Sequence, residues 1–352
     1  LQIYKVPDNN ARSLRYLNLD TMLKKLLLLL LLITLSIIFS SCETDVDVNA
    51  DWEEITIVYG LLNQQDDTHY LRINKAFLGD NALEIAKIAD SSSYGGGLEV
   101  KLQGINLNNN QVMQEITFDT ITINNKDTGI FYNPYMLVYK ASAQLDPALS
   151  YSLLIRNTAN GREITAQTKL VTEFAITKPP SGGRANFAPG FTTDFAWRNA
   201  RNGKRYQPTI RFHYLEMPAG TADTVHKFID WRLPVQFADD ISGNGTQSIA
   251  VNNDAFYSFI NNNVKPRDYN GKRFCSTVDF MVAAAGIEYD TYMRVNGPSG
   301  SLVQDKPEYT NINNGFGVLS SRLNITKDRH LHPLAEDEIL QLGLGFEKNV
   351  NL

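Results

Sequence analysis

Seven short segments rich in Val, Ile, Tyr and Thr follow one another between residues 55 and 171. They are "ITIVYGLL" (55–62), "HYLRINKAFL" (69–78), "LEVKLQGI" (98–105), "VMQEITFDTITI" (112–123), "YMLVYKASAQL" (135–145), "SYSLLIRNT" (150–158) and "EITAQTKLV" (163–171). β-Branched and aromatic side chains suit a pleated, half-buried surface, and apolar–polar alternation turns one face inward. Turn clusters such as "NQQDD", "SSSYGGG", "NLNNN" and "NTANG" separate several of the segments. Short strands at this spacing predict an antiparallel sandwich over 52–172. Asn160-Gly161 reads as a hairpin turn, because glycine accepts positive φ without steric cost.

Within this half, "LDPALSYSLLI" carries the sharpest fold signal. Leu145, Pro147 and Tyr151 resemble the tyrosine corner of fibronectin type III and related immunoglobulin-like sandwiches. There a tyrosine near the start of a late strand bonds the backbone a few residues upstream. The following "RNTANGREITAQTKL" resembles the last hairpin of such a domain.

Between 173 and 190 the composition shifts: "TKPPSGGRANFAPG" concentrates Pro and Gly, which suit neither strand nor helix interior. A linker is expected there. Beyond it, "FTTDFAWRNA", "YQPTIRFHYLEM", "TVHKFIDWRLPV" and "RFCSTVDFMVAAA" read as strands. "NNDAFYSFINNNVK" spaces Phe256, Phe259, Ile260 and Val264 helically, with Asn252 or Asn253 as N-cap. "AGIEYDTYMRVNG" reads as a helix ending near Gly297, and "HPLAEDEILQLG" as one with Pro333 in its first turn and Gly343 beyond its end. The expected fold class is mainly β. An immunoglobulin-like β-sandwich precedes an α+β domain over 191–352, with a mostly antiparallel sheet and a few short helices.

The N-terminal region has a different grammar. From Leu26 to Phe39 the chain is apolar apart from Thr34 and Ser36, with Lys24 and Lys25 before it. That run is shorter than the ~20 residues of a membrane-spanning helix and has the parts of a secretory signal. Met22 opens this signal, so residues 1–21 read as upstream sequence outside the fold. Phe39-Ser40-Ser41-Cys42 resembles a bacterial lipobox, which implies cleavage before Cys42 and acylation of its thiol. Phe39 departs from the commoner Leu at its position, and an uncleaved signal anchor is the rival reading. Two or more acyl chains hold a membrane stably where one does not. Residues 42–51 form an acidic tether of Glu43, Asp45, Asp47 and Asp51. In lipoproteins of the Bacteroidetes such acids resemble a signal for export to the cell surface. A calcium loop is disfavoured, because Ala50 and Thr56 stand where Gly and Glu are needed.

The formal net charge is −5, and since residues 1–41 contribute +3, the chain from Cys42 carries about −8. An acidic surface argues against nucleic acid as partner. Of two cysteines, only Cys275 remains once Cys42 is acylated, so it reads as a small buried hydrophobe.

No catalytic motif emerges. "GPSGS" (297–301) misses the serine-elbow spacing. His330-x-His332 lacks a third ligand at metalloprotease spacing, and "DRHLHP" reads as an exposed loop. His213 and His226 are expected on neighbouring strands as packing and hydrogen-bonding groups. Asp239, Asp240, Glu336 and Glu338 read as solvated acids. Trp197 and Trp231, each followed by Arg, are candidates for stacking a glycan, with core packing as the bland alternative. Thr120 and Thr224 sit in Asp-Thr-apolar triplets that resemble the O-glycosylation acceptor of Bacteroidetes. No cofactor and no metal is implied.

With the lipobox, the sandwich, "EYDTYMRVNG" and above all "TNINNGFGVLSSR" (310–322), the chain resembles Bacteroidetes cell-envelope lipoproteins often encoded near TonB-dependent outer-membrane receptors. That resemblance implies a non-enzymatic outer-membrane lipoprotein facing the cell exterior, a binding or accessory module whose partner is a TonB-dependent barrel. An adhesin or glycan-binding lipoprotein is the alternative, and a hydrolase with an unrecognised site is the third.

Overall fold

The alternating segments of the first half form strands, and their inward positions build the first of two cores. The computed structural model describes Lys24 and residues 54–77, 93–124, 135–265, 271–297 and 308–348. Cys42, the apolar run, the acidic tether and Ser299 lie outside the described residues. Strands β1 (Glu54–Leu62), β2 (Thr68–Phe77), β3 (Leu98–Ile105), β4 (Val112–Ile123), β5 (Met136–Ser142), β6 (Ser150–Asn157) and β7 (Glu163–Lys169) follow in order. Every second residue is buried along β3, β6 and β7, as period-two side chains require.

These strands run β1-β2-β5-β4-β3-β6-β7 in one hydrogen-bonded path, and β4 is its corner. Val112 to Phe118 pair with β3, whereas Asp119 to Ile123 pair with β5. The sheet thus folds over on itself, bringing Val58, Leu71 and Tyr139 of one limb onto Leu102, Tyr151 and Leu153 of the other.

The second half supplies β8 (Ile176–Lys178), β9 (Thr192–Arg198), β10 (Arg205–Met217), β11 (Val225–Arg232), β12 (Gln236–Phe237) and β13 (Thr246–Asn252). Then come α1 (Asn253–Asn263), β14 (Lys272–Ala285), α2 (Ile287–Asn296), β15 (Ile312–Asn313), β16 (Phe316–His330) and α3 (Pro333–Gln341). Among the described residues strand accounts for 52% and helix for 12%, so the fold is mainly β. Each helix begins where its chemistry allows. The Asn252 side chain accepts the Ala255 N–H at the start of α1, and Pro333 opens α3 where a missing N–H costs nothing. Among the described residues no helix is long and apolar enough to cross a membrane.

The second core is aromatic. Phe187 stacks on Phe256 at 4.1 Å, and Phe195 meets both Trp197 (5.4 Å) and Phe280 (5.2 Å). The small sheet β13-β9-β8 contributes Phe195 and Trp197, α1 contributes Phe256, and β14 contributes Phe280. Arg273 fastens the C-terminal segment to this core: it is 4% exposed, pairs with Glu216 at 2.8 Å and donates to the Lys265 and Leu344 carbonyls.

Asp51–Leu352 is one compact unit, and the domains expected at 52–172 and 191–352 share a sheet. The two cores do part at Leu170 and Val171, but Ile312 and Leu319 return to complete the first. The expected linker at 173–190 is corrected: it contains β8 and sends Ala185 and Phe187, both fully buried, into the second core. Its Pro and Gly residues surround those anchors, which is why composition alone suggested a hinge.

One strand joins the halves. Phe316 to Ser321 of β16 pair in parallel with β1, and Arg322 to His330 pair antiparallel with β14. At Gly317 the backbone has φ 110°, and an added Cβ would overlap the Val58 carbonyl oxygen. Glycine alone meets both demands. Gly317→Ala is therefore expected to destabilise the chain by about 3 kcal/mol, read as a lowered urea midpoint. An unchanged midpoint would contradict this pairing.

Candidate functional site

Two cores resting on a shared strand leave a seam, and polar side chains close most of it. "TNINNGFGVLSSR" runs along the seam and explains its own asparagines. Asn311 brackets Leu319, donating to its carbonyl (2.7 Å) and accepting its N–H (3.0 Å), while also donating to the Gln167 carbonyl. Asn313 reaches Thr165 Oγ1 and Asn314 reaches the Glu163 carbonyl, both at 3.0 Å. Amide side chains here satisfy backbone groups beside β7 that a longer strand would otherwise pair. Ser321, fully buried, accepts the Val171 N–H at 2.9 Å and donates to the Lys169 carbonyl at 2.7 Å.

Where these staples end, a cavity of about 300 Å³ remains. Ser150, Gln167, Thr168 and Lys169 line it from the β6–β7 side, and Ile287 and Glu288 from the start of α2. Asn202 and Ile241 close a third side. Asn202 sits at φ 65°, a left-handed position asparagine tolerates, and its amide donates to the Leu170 carbonyl at 2.9 Å.

Glu288 is the chemical centre of the cavity. Its Oε2 accepts from Ser320 Oγ at 2.9 Å and from Thr168 Oγ1 at 3.3 Å. Burial still dominates and raises its pKa above the usual carboxyl value, against the opposing pull of its hydrogen bonds and of the Lys169 charge. The same carboxyl helps raise the Tyr309 pKa, after burial. Helix α2 is held in place by Asp290, fully buried, with Arg294 at 3.0 Å and Arg205 at 3.4 Å. Glu288 therefore projects from an anchored helix turn, in keeping with a preorganised site.

The residues singled out in the sequence are scattered. Tyr151, fully buried, accepts the Asp146 N–H at 2.7 Å and donates to Gln114 Oε1 at 2.9 Å, with Leu145 buried and Pro147 exposed beside it. Burial pushes its phenol up to about 12. Trp197 is corrected as a glycan platform: it is 0% exposed, so no sugar can reach its ring. Trp231 is half-buried, with its ring stacked on Phe259 at 5.6 Å, which occupies one of its faces. Thr120 and Thr224 are both exposed, the first in β4 and the second just before β11.

His213 and His226 lie on the adjacent strands β10 and β11 with rings 5.0 Å apart, and His213 Nε2 is 2.8 Å from Asp279. Beside them Arg211 grips Asp230 with two hydrogen bonds (2.6 and 2.9 Å) and lies 4.0 Å over Phe228, which lowers the Asp230 pKa. The loop expected at "DRHLHP" is corrected: His330 ends β16 opposite Thr277, and His332 Nδ1 caps α3. Among the described residues no group of three His, Cys, Asp or Glu could hold a metal. Cys275 packs beside the second core, and burial drives its thiol pKa upward, away from nucleophilic use.

Lys169 and Glu288 were not among the sequence candidates. No local motif marks them, because they meet only when β7 and α2 are folded together.

A carboxyl whose pKa is raised on folding favours the protonated form, so folding stability falls as pH rises through the ordinary value of 4.5 toward the shifted one. Above both values the deficit is constant. Glu288→Gln removes it, and the variant is expected to unfold at a higher urea concentration than the parent at pH 7. The gap should close as the pH approaches 4. A variant less stable at pH 7 would overturn this account of the carboxyl. No family model matches this sequence, and no curated protein matches it.

Proposed function

We propose that this chain is a non-enzymatic lipoprotein of the outer membrane, anchored through Cys42 and facing the cell exterior, whose folded body is a binding module. The observation that carries the binding role is the seam cavity: a polar, anchored recess holding a half-buried carboxyl at a cost in stability. Residues that lower stability without serving packing are typical of functional sites. The anchor is read from the apolar run before Ser40-Ser41-Cys42, and the acidic residues after it support surface export.

Residues 52–172 are read as an immunoglobulin-like sandwich. Support comes from the strand order, with β1-β2-β5 on one limb and β4-β3-β6-β7 on the other, and from the Tyr151 hydroxyl bonding back to Asp146. A TonB-dependent barrel is the partner this reading favours. A lipid anchor confines the module to the plane of the membrane and raises its effective concentration near such a barrel. The glycan-stacking alternative loses Trp197 to burial and keeps Trp231, one face of which is covered by Phe259.

Two measurements test the proposal. Mass spectrometry of the native protein should find the leader removed and acyl chains on residue 42, and Cys42→Ser should move the protein from the membrane to the soluble fraction. An unmodified Cys42 with the leader attached would refute the anchor. Crosslinking in whole cells should recover a barrel protein reproducibly, and its consistent absence would remove the accessory role.

A further inference from the structure

The walls of the seam cavity carry two opposite charges that do not neutralise each other. Lys169 and Glu288 both line it, and the Lys169 charge acts on the Glu288 carboxyl, yet no ion pair within 4.0 Å joins them among the described residues. The Glu288 carboxyl is instead held by the hydroxyl donors of Ser320 and Thr168. Such donors are weaker compensation for a desolvated carboxylate than a cation is.

A guest that supplied a cation to Glu288 and an anion to Lys169 would complete both. We propose that the cavity binds a small zwitterion, a free α-amino acid or a dipeptide, with its ammonium at Glu288 and its carboxylate toward Lys169. The rest of the lining agrees. Ile241 and Ile287 offer an apolar wall for a side chain, and Ser150, Gln167 and Asn202 offer hydrogen-bonding groups near the charged ends. About 300 Å³ lies at the small end of ligand sites and limits the guest to one or two residues. An anion without a cationic group would be repelled by Glu288. A neutral sugar would leave both charges without a counter-charge.

This inference rests on the seam cavity being the recognition site. Calorimetry on the full chain in detergent, with leucine and dileucine as probes, tests it. Both should bind, and N-acetyl-leucine and leucinamide should bind at least tenfold more weakly. Lys169→Met should weaken leucine without weakening leucinamide, and Glu288→Gln should weaken leucine without weakening N-acetyl-leucine, since each variant removes the charge that repels the blocked probe. Lys169 is exposed, so its replacement does not threaten folding. Equal binding of leucine and its blocked derivatives would overturn the zwitterion. Binding of glucose in place of leucine would do the same while leaving the cavity as the recognition site. No binding of any probe would remove both.

Discussion

The parallel pairing of Ile57–Leu62 with Phe316–Ser321 joins β1 to β16, and both cores depend on it. Parallel pairs need a crossover connection, and in this chain the crossover contains nearly the whole second core. Closing so long a loop costs conformational entropy that only the contacts made on arrival can offset. Those contacts are dense: Leu319 enters the first core, Leu323 the second, and Ser320 and Ser321 between them bind Glu288 and the end of β7. The first core is therefore incomplete until the far end of the chain returns, which makes the two halves cooperative although each has its own apolar interior. Topology dominated by such distant pairings favours slow folding.

The seam left by this arrangement is rich in buried polar groups. Asparagines along Asn311–Asn314 substitute for a strand that β7 has only briefly, and two buried serines replace apolar packing where the cores meet. Buried polar groups of this kind are tolerable only when each finds a partner, and most do. Glu288 is the exception in degree, satisfied by hydroxyls but lacking a counter-charge. Asp290, two residues on in the same helix, shows the contrast, with two arginines around a fully buried carboxylate.

Much of the fold was legible because the information was local. Alternation located the strands from Ile55 to Val171, Asn252 announced α1, and Pro333 announced α3. Alternatives stayed open where a local pattern had two tertiary meanings. Trp197 alternates in a strand whether its face meets solvent or a second sheet, and only the β8–β9–β13 layer decides for burial. Pro179, Pro180, Gly182 and Gly183 suggested a free linker, but the anchors that follow, Ala185 and Phe187, are held by residues about 70 to 150 positions away.

The amino-acid order by itself determined the mainly β character, the turns and the helix caps, since each follows from side-chain shape, charge or periodicity within a few residues. Tertiary structure alone decided that β16 serves two cores, that "TNINNGFGVLSSR" is a seam staple, and that Lys169 and Glu288 share a cavity. Those outcomes depend on which distant surfaces exclude water together. Burial of that kind is a property of the assembled chain, and no short stretch of it carries the information.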